Sequence, residues 1–182
     1  MAGQSSGAVA RSGDNPFLKG VAFLSLLSGW TAAALIVISV IITCQMIFVR
    51  FVLNQSTIWQ TEAVVYMIIA ATMLGLPYVQ YLRGHVNVDL IPLALPMRLR
   101  KVLFFVTMTT ASAIICIMAF YSFEYWHIAW ERNWRSDTVW GVRLWIPYLA
   151  LPIGFALFIL QLIADMVAVA IGVDMPFGLE DG

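Results

Sequence analysis

The side chains best suited to chemistry in this sequence are two histidines, His85 and His127, and two cysteines, Cys44 and Cys116. Imidazoles on facing helices of a small membrane bundle can hold a haem iron. The two histidines follow opposite ends of successive apolar segments, so about a bilayer thickness separates them and they cannot flank one iron. Two thiols without a nearby histidine make a poor metal site, so we interpret the cysteines as packing residues and expect no cofactor or metal.

A group of polar side chains lies in the stretch YLRGHVNVDLIP, residues 81–92, directly after a long uncharged segment. Arg83, His85 and Asp89 could be the working parts of a site. They also fit the place where a helix leaves a membrane, because Arg83 can reach lipid phosphate, Gly84 can end the helix and Asp89 can accept hydrogen bonds in a turn. Taken residue by residue, both interpretations remain open.

Ionisable groups within the apolar segments, which often mark an ion path in a membrane protein, are rare here. Glu62 begins one apolar segment, and Arg50 ends the segment before it. These two side chains could pair across the connecting turn, contact a neighbouring subunit, or only mark the membrane boundary. Asp165 interrupts an apolar run, and we favour a position at the membrane interface over one that faces protein.

The composition places all of these residues in a membrane protein, since 62% of the 182 residues are hydrophobic and only 11% are charged. Mean hydropathy is +0.88. A helix needs roughly 20 apolar residues to cross a bilayer. Four segments without charge or histidine meet that length: residues 21–49, 63–82, 102–123 and 144–164. We therefore predict an all-α membrane protein with four transmembrane helices and interfacial helical segments.

The chain divides into a disordered tail over residues 1–19, a transmembrane domain over 20–172, and a second tail over 173–182. The first apolar segment is too long for the core of a signal peptide, so we interpret it as a retained anchor. The four helices of the domain are predicted over residues 21–49, 62–82, 102–125 and 144–170.

The distribution of positive charge predicts which way the helices cross, because Lys and Arg accumulate in cytoplasmic connections. If the chain crosses four times, six of its ten Lys and Arg residues share the side of the N terminus. We therefore predict both termini in the cytoplasm. The formal net charge of zero gives no reason to expect a nucleic-acid partner. The six are Arg11, Lys19, Arg83, Arg98, Arg100 and Lys101, and the other four are Arg50, Arg132, Arg135 and Arg143.

Tryptophans dominate the segment EYWHIAWERNWRSDTVWGVR, which this orientation places at the outer membrane interface. Trp126, Trp130 and Trp134 recur every four residues, and on a helix that spacing stacks them along one face. An aromatic belt in the lipid interface is one interpretation. A docking surface for an extracytoplasmic partner, formed by Trp130 and Trp134 with Arg132 and Arg135, is the other, and both could hold together.

Small residues form stripes that would admit close contact between helices. In the first helix Ser25, Gly29 and Ala33 recur every four residues, and in the second helix Ala71 and Gly75 do the same. The stripes predict helix contact, either within the chain or between subunits.

Several motifs follow one another in a characteristic order along the membrane portion. An arginine follows the first helix, Trp-x-x-Glu opens the second, Leu-Gly lies within it, and R-G-H-x-x-x-D comes after it. These are Arg50, Trp59 with Glu62, Leu74 with Gly75, and Arg83, Gly84, His85 and Asp89; WIPYLALPIGF then opens the fourth helix at residues 145–155. This order resembles the DctQ-type small membrane subunit of tripartite ATP-independent periplasmic (TRAP) transporters, over residues from about 20 to about 170.

The resemblance implies a non-enzymatic subunit of the bacterial inner membrane that binds a larger permease subunit. In such transporters a periplasmic binding protein delivers a small organic acid, and a sodium gradient drives an elevator-type movement of the large subunit. The small subunit would widen and anchor the static scaffold. We hypothesise that the motif residues Arg50, Trp59, Glu62, Gly75, Arg83, Gly84, His85 and Asp89 hold the subunit's shape or its contact with the large subunit.

Two other classes of protein remain open at this stage. One is the membrane anchor of a redox enzyme, and the other is a small transporter or channel that works alone as an oligomer. The scarcity of charge inside the helices disfavours independent transport.

Overall fold

Four helical spans are long and apolar enough to cross a membrane, which confirms the all-α prediction for the described part of the chain. The computed structural model describes residues 15–82 and 96–175. Leu149 separates the last two helices, which together form the fourth span, Trp145–Ala170. The helices are α1 (Pro16–Phe51), α2 (Ile58–Tyr81), α3 (Met97–Glu131), α4 (Trp145–Tyr148) and α5 (Ala150–Ala170).

The two ends of the molecule carry different residues. We call the end where α1 begins and α2 ends the N-terminal end. At the opposite end α1 and α3 end and α2 and α4 begin. Six of the seven tryptophans lie near it, so we call it the Trp end: Trp59, Trp126, Trp130, Trp134, Trp140 and Trp145. The prediction that the N-terminal end is cytoplasmic stays a prediction, because helix order alone does not distinguish the two sides of a membrane.

Helix α1 begins at Pro16, so residues 16–19, which the sequence placed in a disordered tail, are helical. Proline suits the first turn of a helix, because its fixed φ matches the helix and its missing N–H has no partner there. Leu18 is buried and packs in one cluster with Ala164 and Ala168 of α5. Tertiary contact therefore begins within the first turn of α1.

Helix α3 is longer than the predicted residues 102–125 and contains 35 residues. At about 1.5 Å per residue it is roughly 52 Å long, well beyond the hydrocarbon thickness of about 30 Å. Only Arg100, Phe104 and Ala129 of this helix are buried. Since α3 packs mainly against α5 while α1, α2 and α5 all pack on one another, most of its surface faces the surroundings.

The contact between α1 and α2 uses the predicted small residues with one correction. Ser25 and Gly29 are buried, but Ala33 is exposed and Ala32 is buried instead. Counted from Ser25, the eight residues to Ala33 turn about 80° past the starting face of the helix. The seven residues to Ala32 return to that face, so Ala32 lies beside Ser25. Gly75 of α2 faces this stripe, because a Cβ built on it would lie 3.8 Å from the Cβ of Ala32.

Two glycines allow closer approach than any other residue would. A Cβ at Gly29 of α1 would collide with the ring of Tyr78 on α2. A Cβ at Gly154 of α5 would lie 2.7 Å from the backbone carbonyl oxygen of Met73 on α2. An aromatic ring can turn aside, but a helix backbone cannot move without disturbing its neighbours, so Gly154 fixes the separation of α2 and α5.

We predict that Gly154→Ala destabilises the protein by about 1–3 kcal/mol, because the added methyl group forces α2 and α5 apart. Thermal unfolding of the purified chain in mild detergent would measure this. Gly20→Ala is the matched control, since a Cβ at Gly20 meets nothing within 4 Å and alanine is the better helix former. Equal melting temperatures for the two variants would contradict the packing described.

Candidate functional site

A chain of hydrogen bonds between polar side chains joins three helices near the N-terminal end. The Ser25 hydroxyl of α1 donates to Oε1 of Gln161 on α5 at 2.7 Å. Nε2 of Gln161 donates to Oδ1 of Asp165 at 2.8 Å, and Nε2 of Gln80 on α2 donates to Oδ2 of the same carboxylate at 2.7 Å. We call these four residues the Asp165 network, and it links α1, α2 and α5.

The sequence favoured an interface position for Asp165, but the structure turns its carboxylate toward protein side chains. Gln161 is nine-tenths or more buried, and so are Ser25 and Gln80. The spacing of Gln161 and Asp165 was the available signal, because residues four apart lie on one helix face. No local feature of the sequence around Asp165 identifies Gln80, 85 positions away, as its partner.

The cavity beside this network is too small for an organic substrate. It has a volume of about 30 Å³, which is about the volume of one water molecule. Its lining includes Gln161, Asp165 and Tyr81 together with Ala22 and Leu18. The network therefore serves to join helices among the described residues rather than to hold a carboxylate ligand.

At the Trp end, residues 133–144 form a loop that folds back on itself; we call it the 133–144 loop. Asn133 takes a positive φ of 49° directly after α3, and the N–H of Trp134 reaches the carbonyl of Ala129 at 3.1 Å. This is the hydrogen-bond pattern of a Schellman helix end. An antiparallel bridge between Arg135 and Arg143 then closes the loop.

Glu62 of α2 holds this loop through two of its hydroxyl groups and also accepts from a third hydroxyl on α2. The hydroxyl of Ser136 donates to Oε1 of Glu62, and the hydroxyl of Thr138 donates to Oε2 at 2.8 Å. The Tyr66 hydroxyl, one turn further along α2, donates to Oε1 at 3.4 Å. Hydrogen bonds to a carboxylate are stronger than those between neutral groups, so Glu62 fastens the loop to the start of α2.

Of the described motif residues at the Trp end, Trp59 and Glu62 both contact the 133–144 loop, and Arg50 does not pair with Glu62. Trp59 packs edge-on against Trp140 of the loop, with ring centroids 6.4 Å apart. Glu62 binds the loop as described, but no ion pair joins it to Arg50 within residues 15–82 and 96–175. The sequence allowed Arg50 and Glu62 to pair across the turn, and the structure, which describes both residues, does not show that pair. Gly75 lies in the α1–α2 contact.

The four remaining motif residues, Arg83, Gly84, His85 and Asp89, lie outside the described residues. The other histidine, His127, stacks on Phe123 with ring centroids 6.2 Å apart. Its Nδ1 lies 3.8 Å from Oε2 of Glu131.

The predicted row of three stacked tryptophans is wrong for its last member. Trp126 and Trp130 are neighbours, with ring centroids 6.0 Å apart, and Trp130 packs against Trp145 at 4.5 Å. Because α3 ends at Glu131, Trp134 lies beyond the helix and packs instead against Tyr125 at 5.7 Å. The Schellman end of α3, not the four-residue spacing, decides where this ring goes.

Three arginines at the Trp end have no carboxylate partner in the part of the chain that the structure describes. Arg132, Arg135 and Arg143 are all exposed and make no ion pair there. The bridge sets Arg135 and Arg143 opposite each other, and like charges in that position repel. The exposed carboxylates Glu124, Glu131 and Asp137 lie at the same end, so charges of both signs are exposed there.

We predict that Glu62→Ala loosens the 133–144 loop, because the loop hydroxyls of Ser136 and Thr138 lose their acceptor. Amide hydrogen exchange in the loop should rise by about tenfold or more, while the amides of α1 keep their protection. Glu124→Ala is the matched control, since Glu124 is an exposed carboxylate of α3. Unchanged exchange in the loop of the Glu62 variant would show that the carboxylate does not hold it.

Comparison with known proteins agrees with this architecture. The sequence model of the family described as "Tripartite ATP-independent periplasmic transporters, DctQ component" matches residues 39–171. The curated "C4-dicarboxylate TRAP transporter small permease protein DctQ" of Vibrio cholerae serotype O1 (strain ATCC 39315 / El Tor Inaba N16961) is 28% identical over 138 residues. That alignment covers 64% of this chain, which spans about 60% of the length of that relative. No solved structure matches the chain.

The family match begins within α1 and ends just after α5, so it includes part of the first helix and all of the other three spans. It contains the start of α2 with Glu62, the 133–144 loop and the α5 side of the Asp165 network. The family is a transport component and not a known enzyme. The chain therefore belongs to the DctQ family of TRAP transporter components and is a multi-pass protein of the inner membrane.

Proposed function

We propose that this chain is the scaffolding small subunit of a TRAP transporter and does not itself carry the substrate. The observation that supports this most directly is the Asp165 network. A polar side chain inside a transporter usually faces a water-filled path, but here Ser25, Gln80 and Gln161 bond to one another or to Asp165 between helices. These polar side chains therefore join the helices α1, α2 and α5.

The exposed apolar surface supports a partner within the membrane. Helix α3 has three buried residues in 35, and α1 exposes large side chains such as Trp30 and Phe23. Lipid can cover these faces, and so can the helices of a larger subunit. We propose that the large M-type permease subunit packs against part of this surface and uses the joined helices α1, α2 and α5 as a fixed body.

The motif residues have distinct parts in this proposal. Glu62 and Trp59 hold the 133–144 loop, and Gly75 lies in the contact between α1 and α2. For the residues outside the described ranges, we keep the proposal that they shape the subunit or contact the large one: Arg83, Gly84, His85 and Asp89. Both termini, with the chain before Pro16 and the tail at residues 173–182, would face the cytoplasm.

The transport that this body supports would be sodium-driven uptake of a small organic acid. The relative is named for C4-dicarboxylates, which are members of that chemical class. A periplasmic binding protein would deliver the acid to the Trp end. The exposed Arg132 and Arg135, beside Trp130 and Trp134, are the groups that we propose to receive it, because arginine and tryptophan are frequent in the centres of protein interfaces.

We predict that affinity purification of the full chain from its native membrane in mild detergent retains a much larger polytopic protein in about equal amount. Mass spectrometry of the bound material would identify it. Recovery of the chain with soluble redox subunits, or recovery of the chain alone together with conduction in liposomes, would contradict the scaffold assignment.

We predict that reversing both charges, with Arg132→Glu and Arg135→Glu, weakens docking of the binding protein. The binding-protein concentration that gives half-maximal uptake should rise by roughly tenfold, while the maximal rate changes little, because the substitutions affect encounter rather than the transport step. Asp137→Asn is the control, since it removes an acidic group from the same loop. Identical saturation curves for the double variant and the native chain would argue against docking at this surface.

A further inference from the structure

The turn between α1 and α2 forms a polar cavity that the scaffold role does not use. Its volume is about 310 Å³. After α1 ends, Asn54 takes a positive φ of 48° and the N–H of Gln55 returns to the carbonyl of Val49 at 3.3 Å. This conformation leaves the cavity between the connection and the first turn of α2. The cavity is lined by Arg50, Gln55, Ser56, Thr57, Ile58 and Thr61.

This cavity is rich in hydrogen-bond donors and contains one fixed positive charge. Within residues 15–82 and 96–175, Arg50 makes no ion pair, and the side chains of Gln55 and Ser56 make no hydrogen bond. Thr57 precedes α2 without capping it through its side chain, so the first N–H groups of that helix also point toward this region. A guanidinium with hydroxyl and amide donors suits the oxygens of a phosphate group.

A second cavity, which is mainly apolar, adjoins the first. It is lined by Ser56, Ile58, Trp59, Val139 and Trp140 and has a volume of about 480 Å³. Ser56 and Ile58 line both cavities, so the two are neighbours at the start of α2. Val139, at the tip of the 133–144 loop, is 93% exposed, which would be unfavourable in water.

We propose that these two cavities together bind one phospholipid of the membrane, with its phosphate at Arg50 and its glycerol and upper acyl chain in the apolar cavity beside the Trp59–Trp140 pair. A free phosphate would satisfy the polar cavity but would leave the apolar one empty. An acidic protein surface would bring carboxylates but no acyl chain to fill the apolar cavity. The site lies where α1 ends and α2 begins, at the level of the tryptophans, which is the depth of lipid headgroups.

The loop that Glu62 fastens supplies one wall of this site. Val139 and Trp140 both lie in it, only a few residues after Ser136 and Thr138. A bound phospholipid would therefore join the α1–α2 turn to the 133–144 loop. Lipid binding and the hydroxyl contacts of Glu62 would then stabilise the same arrangement of the Trp end.

Native mass spectrometry of the delipidated full chain in mild detergent tests this site. The probes are dioctanoyl-phosphatidylglycerol, dioctanoylglycerol, which lacks the phosphate, and inorganic phosphate. We expect one tightly held phosphatidylglycerol, with affinity at least about tenfold above that of either other probe, since each lacks one half of the recognised molecule. Equal binding of dioctanoylglycerol, or equal binding of inorganic phosphate, would overturn the assignment.

Substitutions then locate the bound lipid. Arg50→Gln should lower the affinity for phosphatidylglycerol by about tenfold, and Arg50→Lys by less, because the charge remains. Arg143→Gln is the control, as it removes an exposed arginine of the same end that lines neither cavity. The proposal fails if Arg50→Gln binds as the native chain does. It also fails if Arg50→Lys loses as much affinity as Arg50→Gln, since a disturbed turn rather than charge would then explain the effect.

Discussion

The arrangement of α1, α2 and α5 depends on a constraint that a bilayer imposes, which is that a polar side chain between helices must find its hydrogen-bond partner within the protein. Asp165 accepts from Gln80 and Gln161, and Gln161 accepts from Ser25. Each bond crosses to another helix or orients a group that does. Because each such bond contributes only about 0.6 kcal/mol on average in a membrane, the network acts more by fixing register than by adding stability.

Close approach of the backbones of α2 and α5 is the second contact that holds these helices together. A Cβ on Gly154 would lie 2.7 Å from the carbonyl oxygen of Met73. The helices α2 and α5 are therefore closer together than any side chain at position 154 would allow. At the Trp end, Glu62 adds a third kind of contact, from a helix to a loop. Helix α3 stands apart from this body and contacts mainly α5, which leaves its apolar surface for lipid or for another subunit.

The sequence predicted the helices well because long uncharged runs have few alternatives in a membrane protein. It also identified Trp59 and Glu62 as members of a motif. It could not show that Glu62 binds Ser136 and Thr138, because those partners are 74 and 76 positions away and hydroxyl groups carry no pattern of their own. Trp134 was misplaced for a local reason, since Asn133 ends α3 before the four-residue spacing is complete.

We propose above all that this subunit keeps one shape while its partner moves. The most direct measurement is the distance between spin labels at Phe51→Cys and Val139→Cys, both highly exposed, after Cys44 and Cys116 are replaced by alanine. Electron–electron resonance on the transporter complex in nanodiscs would compare potassium alone with sodium plus a transported organic acid. We expect one distance, unchanged within about 2 Å between the two conditions. A second distance that appears only with sodium and substrate would contradict it.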